Sequence, residues 1–573
     1  MTSHPRQRPA SGIVPTASHA WALLAILLFL LPVILIQREM YDGIAIRFAF
    51  DTHDFTGFKT WQYGQNWYLT YWFYRAMAQL GWALGVDYLP LLKIVLVATF
   101  AGLYFQYERI ARELFRLPDD GARAVALAAT LFPALQTYAS SLGVVIPLYI
   151  LAGLWGFHLL SAAGAERKLA GLVLALVAFQ LNSTITFLVG LQIAFMLLAR
   201  DAGTPLRRAD YMKLAVLCIG AAAFLLVRKV LVPPSGFYSG YNVILLPTSV
   251  DNIKGLLRAS AMFATWALIP MTVFMLASIG LLATGRRPSI HGLGPRLGRQ
   301  RGAILATGVL WLFAIAPYVA AGKGPPLFTL TAYGQGITEQ AIRSVYSGLF
   351  APTFSATSGR HAVLTMLPLA LAGYGAVALA LAIFSKPARA PWTPRMALWL
   401  MLAAQVPWAM GAAWNRLQQQ HAEIALVNGL RTLPPAPPGI VELRYAPGTD
   451  WLMHAGPGNQ VFAQAWGGWN YVSFIYALDS YRLELHWQYV AGFRDLGGLQ
   501  SRWQQQLIPV EEFAGERCVS LYRATLPPAP AVQVLLAGLQ PQRVQPAQVA
   551  MEQSRCGAGQ AIANPFPDRV MTY

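Results

Sequence analysis

The chain of 573 residues has little charge and almost no cysteine. Only 12% of its residues are Asp, Glu, Lys or Arg, whereas 56% are apolar, a balance that a soluble single-core domain does not need. Three cysteines exclude a disulfide-dense secreted scaffold. Cys218 lies in an apolar run. Cys518 and Cys556 therefore either form one disulfide, if the C-terminal segment faces an oxidising compartment, or stay as two thiols.

Motifs of several chemistries are also missing. The chain has no Gly-x-x-x-x-Gly-Lys-Ser/Thr phosphate loop, no His-Glu-x-x-His and no Gly-x-Ser-x-Gly elbow. Its net charge of +18 would suggest nucleic acid in a soluble protein, but the Lys and Arg residues lie in short segments between apolar runs. The charge therefore indicates membrane topology, and we expect no nucleic-acid partner.

Long apolar runs are what the sequence has in abundance. We count about eleven runs of roughly 17 to 25 residues, the length that crosses a bilayer. The first lacks a small-residue cleavage site, which favours an uncleaved span over a signal peptide. The predicted spans are 19–36, 89–106, 123–139, 143–161, 168–182, 184–200, 213–231, 259–284, 303–321, 362–385 and 395–414.

The basic residues give these spans an orientation. Five basic connections fall on one side of the eleven-span arrangement, together with residues 1–18, and the positive-inside rule makes that side cytoplasmic. The odd number of spans then places the C-terminus outside. We therefore expect a multi-pass protein of the bacterial inner membrane with a periplasmic C-terminus. The predicted outer loops are 37–88, 232–258 and 322–361.

Residues 415–573 have a different character from the spans. After a proline-rich stretch at 434–438, short β-like runs occur at 440–445, 461–466, 471–477 and 518–524. They predict a small α/β or β-rich domain outside the membrane. The predicted fold class is an α-helical polytopic membrane protein of about eleven transmembrane helices, with a small C-terminal α/β extracytoplasmic domain.

The first outer loop combines carboxylates with aromatic rings. A carboxylate can deprotonate an acceptor hydroxyl or hold a divalent cation, and aromatic faces stack on sugar rings. We predict Asp42 as a general base, with Asp51 and Asp54 in reserve. The alternatives are an interfacial aromatic belt and solvated loop carboxylates. The candidate sugar-binding residues are Tyr41, Trp61, Trp67 and, in the next outer loop, Tyr238.

Basic residues are scarce on the predicted outer side. Arginine pairs bidentately with phosphate and can neutralise a phosphate leaving group, although simple snorkelling to the interface would also explain any one of them. The candidate phosphate-binding residues are Arg228, Lys229, Arg343 and Arg360. A divalent cation is possible, but the His and Cys spacing of a tight zinc site is absent from the sequence.

With these features the chain resembles the GT-C class of integral membrane glycosyltransferases. The resemblance depends on the span count, on Asp42 soon after the first span, and on the stretch Leu-Phe-Pro-Ala-Leu-Gln-Thr-Tyr-Ala-Ser-Ser at 131–141. The tripeptide at 41–43, with Arg47, and Tyr-Gly-Gln-Asn-Trp at 63–67 resemble bacterial O-antigen glucosyltransferases of the serotype-converting kind more particularly.

The resemblance implies a substrate class and a mechanism. A monosaccharide would pass from a polyprenyl-phosphate donor to a glycan, lipid or protein acceptor outside the cytoplasm, with inversion. Asp42 would be the base, and Arg228, Lys229 or Arg360 would stabilise the departing phosphate. Two other classes stay open, namely a flippase or transporter of lipid-linked sugars and a polysaccharide polymerase or ligase.

Overall fold

The computed structural model of the chain is mostly helical. It describes residues 17–39, 43–131, 141–233, 300–320, 363–384, 416–436, 439–445, 455–466, 471–473, 482–484, 507–509 and 518–556. The helices are α1 (Ala17–Leu35), α2 (Gly43–Thr52), α3 (Thr56–Gly64), α4 (Tyr68–Leu84), α5 (Tyr88–Glu113), α6 (Asp119–Thr130), α7 (Val145–Leu159), α8 (Ala165–Ala178), α9 (Asn182–Asp201), α10 (Arg208–Leu226), α11 (Arg301–Ala320), α12 (Met366–Phe384), α13 (416–430), α14 (Ala455–Trp466) and α15 (Ala531–Leu536).

Three of the described helices are long and apolar enough to cross a membrane. They are Tyr88–Glu113 in α5, Ser183–Asp201 in α9 and Arg208–Leu226 in α10. Shorter apolar stretches lie in α1, α7, α11 and α12. Each of these seven coincides with a predicted span. Eleven spans stay a prediction, and the predicted spans 259–284 and 395–414 lie outside the described residues.

Local sequence chemistry sets several helix ends. The Asp87 carboxylate accepts a hydrogen bond from the Leu89 amide at 2.9 Å and so caps the start of α5. The Asp210 carboxylate accepts one from the Arg207 amide at 2.8 Å at the start of α10. Gly85 ends α4 in the left-handed conformation that glycine adopts without strain, with φ 65°. Helix α9 packs against α11, and α5 packs against α6 and α7.

Helix α8 is shorter than the span predicted at 168–182. Its 14 residues extend about 21 Å at 1.5 Å per residue, less than the roughly 30 Å of bilayer hydrocarbon. It packs against α7 at two glycines. A β-carbon at Gly156 would lie 2.7 Å from the Gly171 carbonyl oxygen, so small residues permit this close helix crossing.

The buried segment at 37–88 is helical rather than a loop. Helices α2, α3 and α4 occupy it, and their aromatic rings pack inward. The exposed fractions are 7% for Trp61, 1% for Tyr71 and 52% for Trp72. The Tyr74 hydroxyl donates to the Ser141 carbonyl at 2.6 Å, and burial raises its pKa well above the ordinary value. The aromatic-belt alternative is wrong for the buried rings, because they form the core that joins these helices to α5 and α7.

The C-terminal described residues form a mixed sheet with helices. Strand β1 pairs in parallel with β2 and β5, and β5 pairs antiparallel with β6. Helix α14 connects β1 to β2, because parallel neighbours need a crossover. The predicted strand at 461–466 is therefore wrong. The strands are β1 (Gly439–Tyr445), β2 (Tyr471–Ser473), β3 (Arg482–Glu484), β4 (Leu507–Pro509), β5 (Cys518–Thr525) and β6 (Gln548–Cys556).

The close α7–α8 crossing gives a prediction for stability. Gly156→Ala should lower the unfolding free energy by about 1–3 kcal/mol, because the new methyl group meets backbone that cannot move aside. Gly308 in α11 is the matched control, since nothing lies within 4 Å of the position that a β-carbon would take there, and Gly308→Ala should leave stability unchanged or raise it. Thermal unfolding of the purified variants measures both, and equal unfolding temperatures would contradict this packing.

The β5–β6 register gives a prediction for the cysteines. Cys518 stands directly opposite Cys556. Opposed α-carbons in antiparallel strands lie about 4.5–5.5 Å apart, within the roughly 4.4–6.8 Å that a disulfide spans. We expect the pair to be oxidised in cells.

Thiol tagging of the denatured protein tests that pairing. With three cysteines in the chain, one oxidised pair leaves one tag before reduction and three after it. Cys556→Ser should give two tags under both conditions. Three tags on the unreduced wild type would show that the pair is not oxidised.

Candidate functional site

The turn between α2 and α3 presents polar groups beside aromatic rings. His53 has a φ of 58°, a left-handed conformation that His adopts more readily than most residues. Its ring stacks on Trp82 with 4.3 Å between centroids. The Asp54 carboxylate accepts a hydrogen bond from the Thr56 amide at 2.9 Å, which fixes it at the start of α3.

The turn between α3 and α4 is tied to the end of α10. Asn66 is buried, with a φ of 60°. Its side-chain Nδ2 donates to the Arg228 carbonyl at 3.2 Å and to the Val232 carbonyl at 2.6 Å. These acceptors belong to a π-helical turn, Val227–Leu231, and the residue that follows it. Such turns are frequent at functional sites.

The Arg228 side chain donates hydrogen bonds back to the α3–α4 turn and also to the segment between α8 and α9. This side chain is 5% exposed. Nη2 donates to the Gln65 carbonyl at 2.8 Å, and Nη1 donates to the Gln180 carbonyl at 3.0 Å between α8 and α9. The guanidinium predicted to bind phosphate thus holds three backbone segments together. Lys229 lies in the same π-helical turn.

Residues of α3 and α4, the turns beside them, and Val232 and Pro233 line a cavity of about 790 Å³. Asp54 supplies a carboxylate, and Lys59 and Arg75 supply positive charge. The Arg75 Nη1 donates to the Tyr71 hydroxyl at 2.8 Å. The Lys59 ammonium lies 5.3 Å from the Tyr63 ring centroid, a cation–π distance. The lining is His53, Asp54, Phe55, Thr56, Lys59, Thr60, Tyr63, Gly64, Asn66, Tyr68, Tyr71, Arg75, Gln79, Trp82, Val232 and Pro233.

The other carboxylate in reserve, Asp51, has a different partner. It forms an ion pair with Arg47 at 2.8 Å, and Arg47 also bonds Asp87. Burial alone would lower the pKa of Arg47, but Asp87 and Asp51 raise it above its ordinary value. Asp51 is therefore committed to a salt bridge on α2, outside the residues that line the cavity.

The predicted sugar-binding tryptophans also lie outside the cavity lining. Trp61 packs against Phe58, with 5.6 Å between ring centroids. Trp67 precedes the first residue of α4. Five further predicted site residues lie outside the described residues: Tyr41, Asp42, Tyr238, Arg343 and Arg360.

A buried ion network follows α1, and sequence patterns did not reveal it. The Arg38 Nε lies 2.7 Å from Glu423 in α13, and the Arg416 Nη1 lies 3.2 Å from the same carboxylate. Burial lowers the pKa of Arg38, and Glu423 opposes that shift. The sequence signal for this network is limited to the charged pair Arg38 and Glu39 at the end of an apolar run. Glu423, the partner of Arg38, lies 385 residues away in the chain.

Glu39 joins this network to the outer helices. It is fully buried, and its carboxylate accepts hydrogen bonds from the Tyr88 hydroxyl at 2.7 Å and the Ser141 amide at 3.1 Å. Its backbone carbonyl accepts from Arg416 at 3.0 Å. The chain leaving α1 is thereby fixed against α5, the start of α7 and α13.

Metal ligands are not gathered in the part of the chain that the structure describes. There, no three His, Cys, Asp or Glu side chains are placed to hold an ion. Asp51, His53 and Asp54 lie within four residues of one another but have separate partners. Asp51 pairs with Arg47, His53 stacks on Trp82, and Asp54 accepts the Thr56 amide hydrogen bond. Cations at this site come from Lys59 and Arg75.

The buried network predicts an unequal response to charge removal. Glu423→Gln should cost about 3–5 kcal/mol, because it leaves two buried guanidinium groups without their shared carboxylate. Glu113→Gln is the control, since Glu113 pairs with Arg109 on an exposed face and such pairs contribute about 0–1 kcal/mol. Thermal unfolding of both purified variants measures the difference. Similar small losses in the two would contradict the assigned role of Glu423.

Comparisons with known proteins do not extend these findings. No protein-family model matches the chain. No curated protein and no solved structure matches it either. The features that bear on function are the cavity, its charged side chains and the three helices that are long and apolar enough to cross a membrane.

Proposed function

We propose that the chain is a membrane glycosyltransferase, which transfers a monosaccharide from a polyprenyl-phosphate donor to a glycan, lipid or protein acceptor. The proposal includes an eleven-span fold in a bacterial inner membrane, with the cavity and the C-terminal domain on the periplasmic side. The observation that carries it is the cavity of about 790 Å³ with one carboxylate and two cations among aromatic rings.

The two cations suit a phosphate-linked donor. A polyprenyl-phosphate sugar is a phosphodiester with one negative charge. Further negative charge develops on the phosphate oxygen as its bond to the sugar breaks. Lys59 and Arg75 both line the cavity, and cations held in position beside the departing oxygen stabilise such charge. The stacked rings of His53 and Trp82 offer an apolar face to the sugar.

The carboxylate supplies the proton acceptor. The acceptor hydroxyl oxygen attacks the anomeric carbon, the bond from that carbon to the phosphate oxygen breaks, and the phosphate leaves with the electron pair. The hydroxyl proton passes to the base, and one such displacement inverts the anomeric carbon. Among the described residues, Asp54 supports this role because it lines the cavity. Asp42, three residues after Glu39 in the chain, stays the prediction from sequence.

Ionisable residues in the candidate spans favour a transferase over a proton-coupled transporter. Lys93, Glu108 and Lys213 are buried, but each lies near a helix end. Lys93 is five residues after the start of α5, Glu108 is five residues before its end, and Lys213 is five residues after the start of α10. Five residues rise about 7.5 Å, so these groups lie near the membrane surfaces. A proton path needs such groups across the middle of several spans.

Substitution of the cavity carboxylate tests the proposal. Asp54→Asn keeps a side-chain oxygen that can accept the hydrogen bond from the Thr56 amide but removes the base, so we expect transfer to fall by about 10²–10⁴-fold. Asp51→Asn is the matched control, and it should keep transfer within about threefold, because Asp51 lies outside the cavity lining and Arg47 keeps its second partner, Asp87. The assay follows a radiolabelled polyprenyl-phosphate hexose into acceptor with the purified protein in nanodiscs.

Asp42→Asn belongs in the same series, because sequence and structure favour different bases. Loss of transfer in only one of the Asp42 and Asp54 variants identifies the base. Full transfer in both would contradict the mechanism. Movement of intact donor across the bilayer without sugar transfer would instead support a transporter, and glycan chains that lengthen from a diphosphate-linked oligosaccharide would support a polymerase.

A further inference from the structure

Helix α1 places its C-terminal end near a membrane surface. Its 19 residues extend about 28 Å, close to the roughly 30 Å of bilayer hydrocarbon. No Asp, Glu, Lys or Arg occurs between His19 and Leu35. Large apolar side chains are exposed along one face at helical spacing, as expected of a lipid-facing helix. They are Trp21, Leu24, Leu28 and Leu31.

Helix α15 of the C-terminal domain packs against that end of α1. Val534 is buried in one apolar cluster with Ile36 and Leu417. A β-carbon at Gly538 would lie only 2.5 Å from the Leu35 carbonyl oxygen. Because Leu35 lies at the level where the apolar helix ends, α15 lies at that level too.

Helix α15 and the turn that follows it expose apolar groups. Val532 is 64% exposed and Leu539 is 54% exposed, and Leu536 is exposed between them. Residues 526–541 contain no Asp, Glu, Lys or Arg. Arg543 follows this uncharged stretch and is exposed, as basic residues flank segments that bind anionic headgroups. Arg523, on the other side of the stretch, pairs with Glu552 at 2.6 Å.

We propose that residues 526–541 form an interfacial lipid anchor, with Val532, Leu536 and Leu539 in the headgroup region of the bilayer. Helix α15 packs at Leu35 and Ile36, where α1 ends, so its exposed apolar groups lie at the level where the lipid-facing helix ends. Helices of this kind lie about 5–10 Å into the boundary between headgroups and acyl chains. The anchor holds the domain on the membrane surface beside the buried network of Arg38 and Glu423.

Depth-dependent fluorescence quenching tests the anchor. An environment-sensitive fluorescent amino acid replaces Leu539 in the full chain, which is reconstituted in nanodiscs with or without lipids that carry a nitroxide at the top of the acyl chain. We expect about half of the emission to be quenched, because the nitroxide lies at the depth of an interfacial helix. The matched control is Ala550, which is exposed on β6 beside Glu552, and its emission should not change.

Val532 provides a second labelling site should the Leu539 variant not fold, and quenching there supports the anchor equally. Equal quenching at residues 539 and 550 would overturn the proposal. Blue-shifted emission at 539 or 532 without quenching would also overturn it, because a second copy of the chain or another protein would then cover this face.

Discussion

The buried carboxylate of Glu423 is the group on which the junction between the first apolar helix and the C-terminal domain depends. It is shared by Arg38, which follows α1, and by Arg416 in α13. Charges removed from water are costly unless they are paired and hydrogen-bonded. Because both arginines need the Glu423 carboxylate, the segment after α1 is fixed against α13. The neighbouring Glu39 extends the same constraint to the Tyr88 hydroxyl and the Ser141 amide.

A second constraint holds the wall of the cavity. Asn66 donates to the backbone at Arg228, and Arg228 donates back to the carbonyl of Gln65. These reciprocal hydrogen bonds fix the α3–α4 turn against the end of α10, which is long and apolar enough to cross a membrane. Because buried polar groups are costly to leave unpaired, the turn keeps its place, and Asp54, Lys59 and Arg75 face one shared space. In our account, rigid positioning at the membrane surface makes phosphate and sugar recognition possible there.

The sequence predicted the apolar helices well, because a span is determined by length and composition alone. Helix α9 lies within one residue of the predicted bounds 184–200, whereas α5 ends at Glu113 instead of residue 106 and α10 covers Arg208–Leu226 instead of 213–231. The prediction failed for 461–466, since a six-residue apolar run fits a strand or a buried helix equally well. For the aromatic rings of α3 and α4 it left two alternatives open, because composition does not distinguish rings in a belt from rings in a core.

The site was predicted less well than the spans, for a physical reason. A hydrogen bond between Arg38 and Glu423 joins residues 385 positions apart, and no local pattern reports such a pair. Arg228 has the charge expected of a phosphate ligand, yet backbone carbonyls take its donors. Lys59 and Arg75, which line the cavity beside Asp54, became candidates only when the fold brought them together.

The most direct test of the central claim is where the donor binds. A polyprenyl-phosphate hexose analogue with a photoreactive group near the phosphate is irradiated with the wild-type protein in nanodiscs, and mass spectrometry locates the attachment. The account predicts attachment within residues 53–82 or at Val232 and Pro233, which line the cavity. Attachment confined to other parts of the chain, with none in the cavity lining, would contradict it.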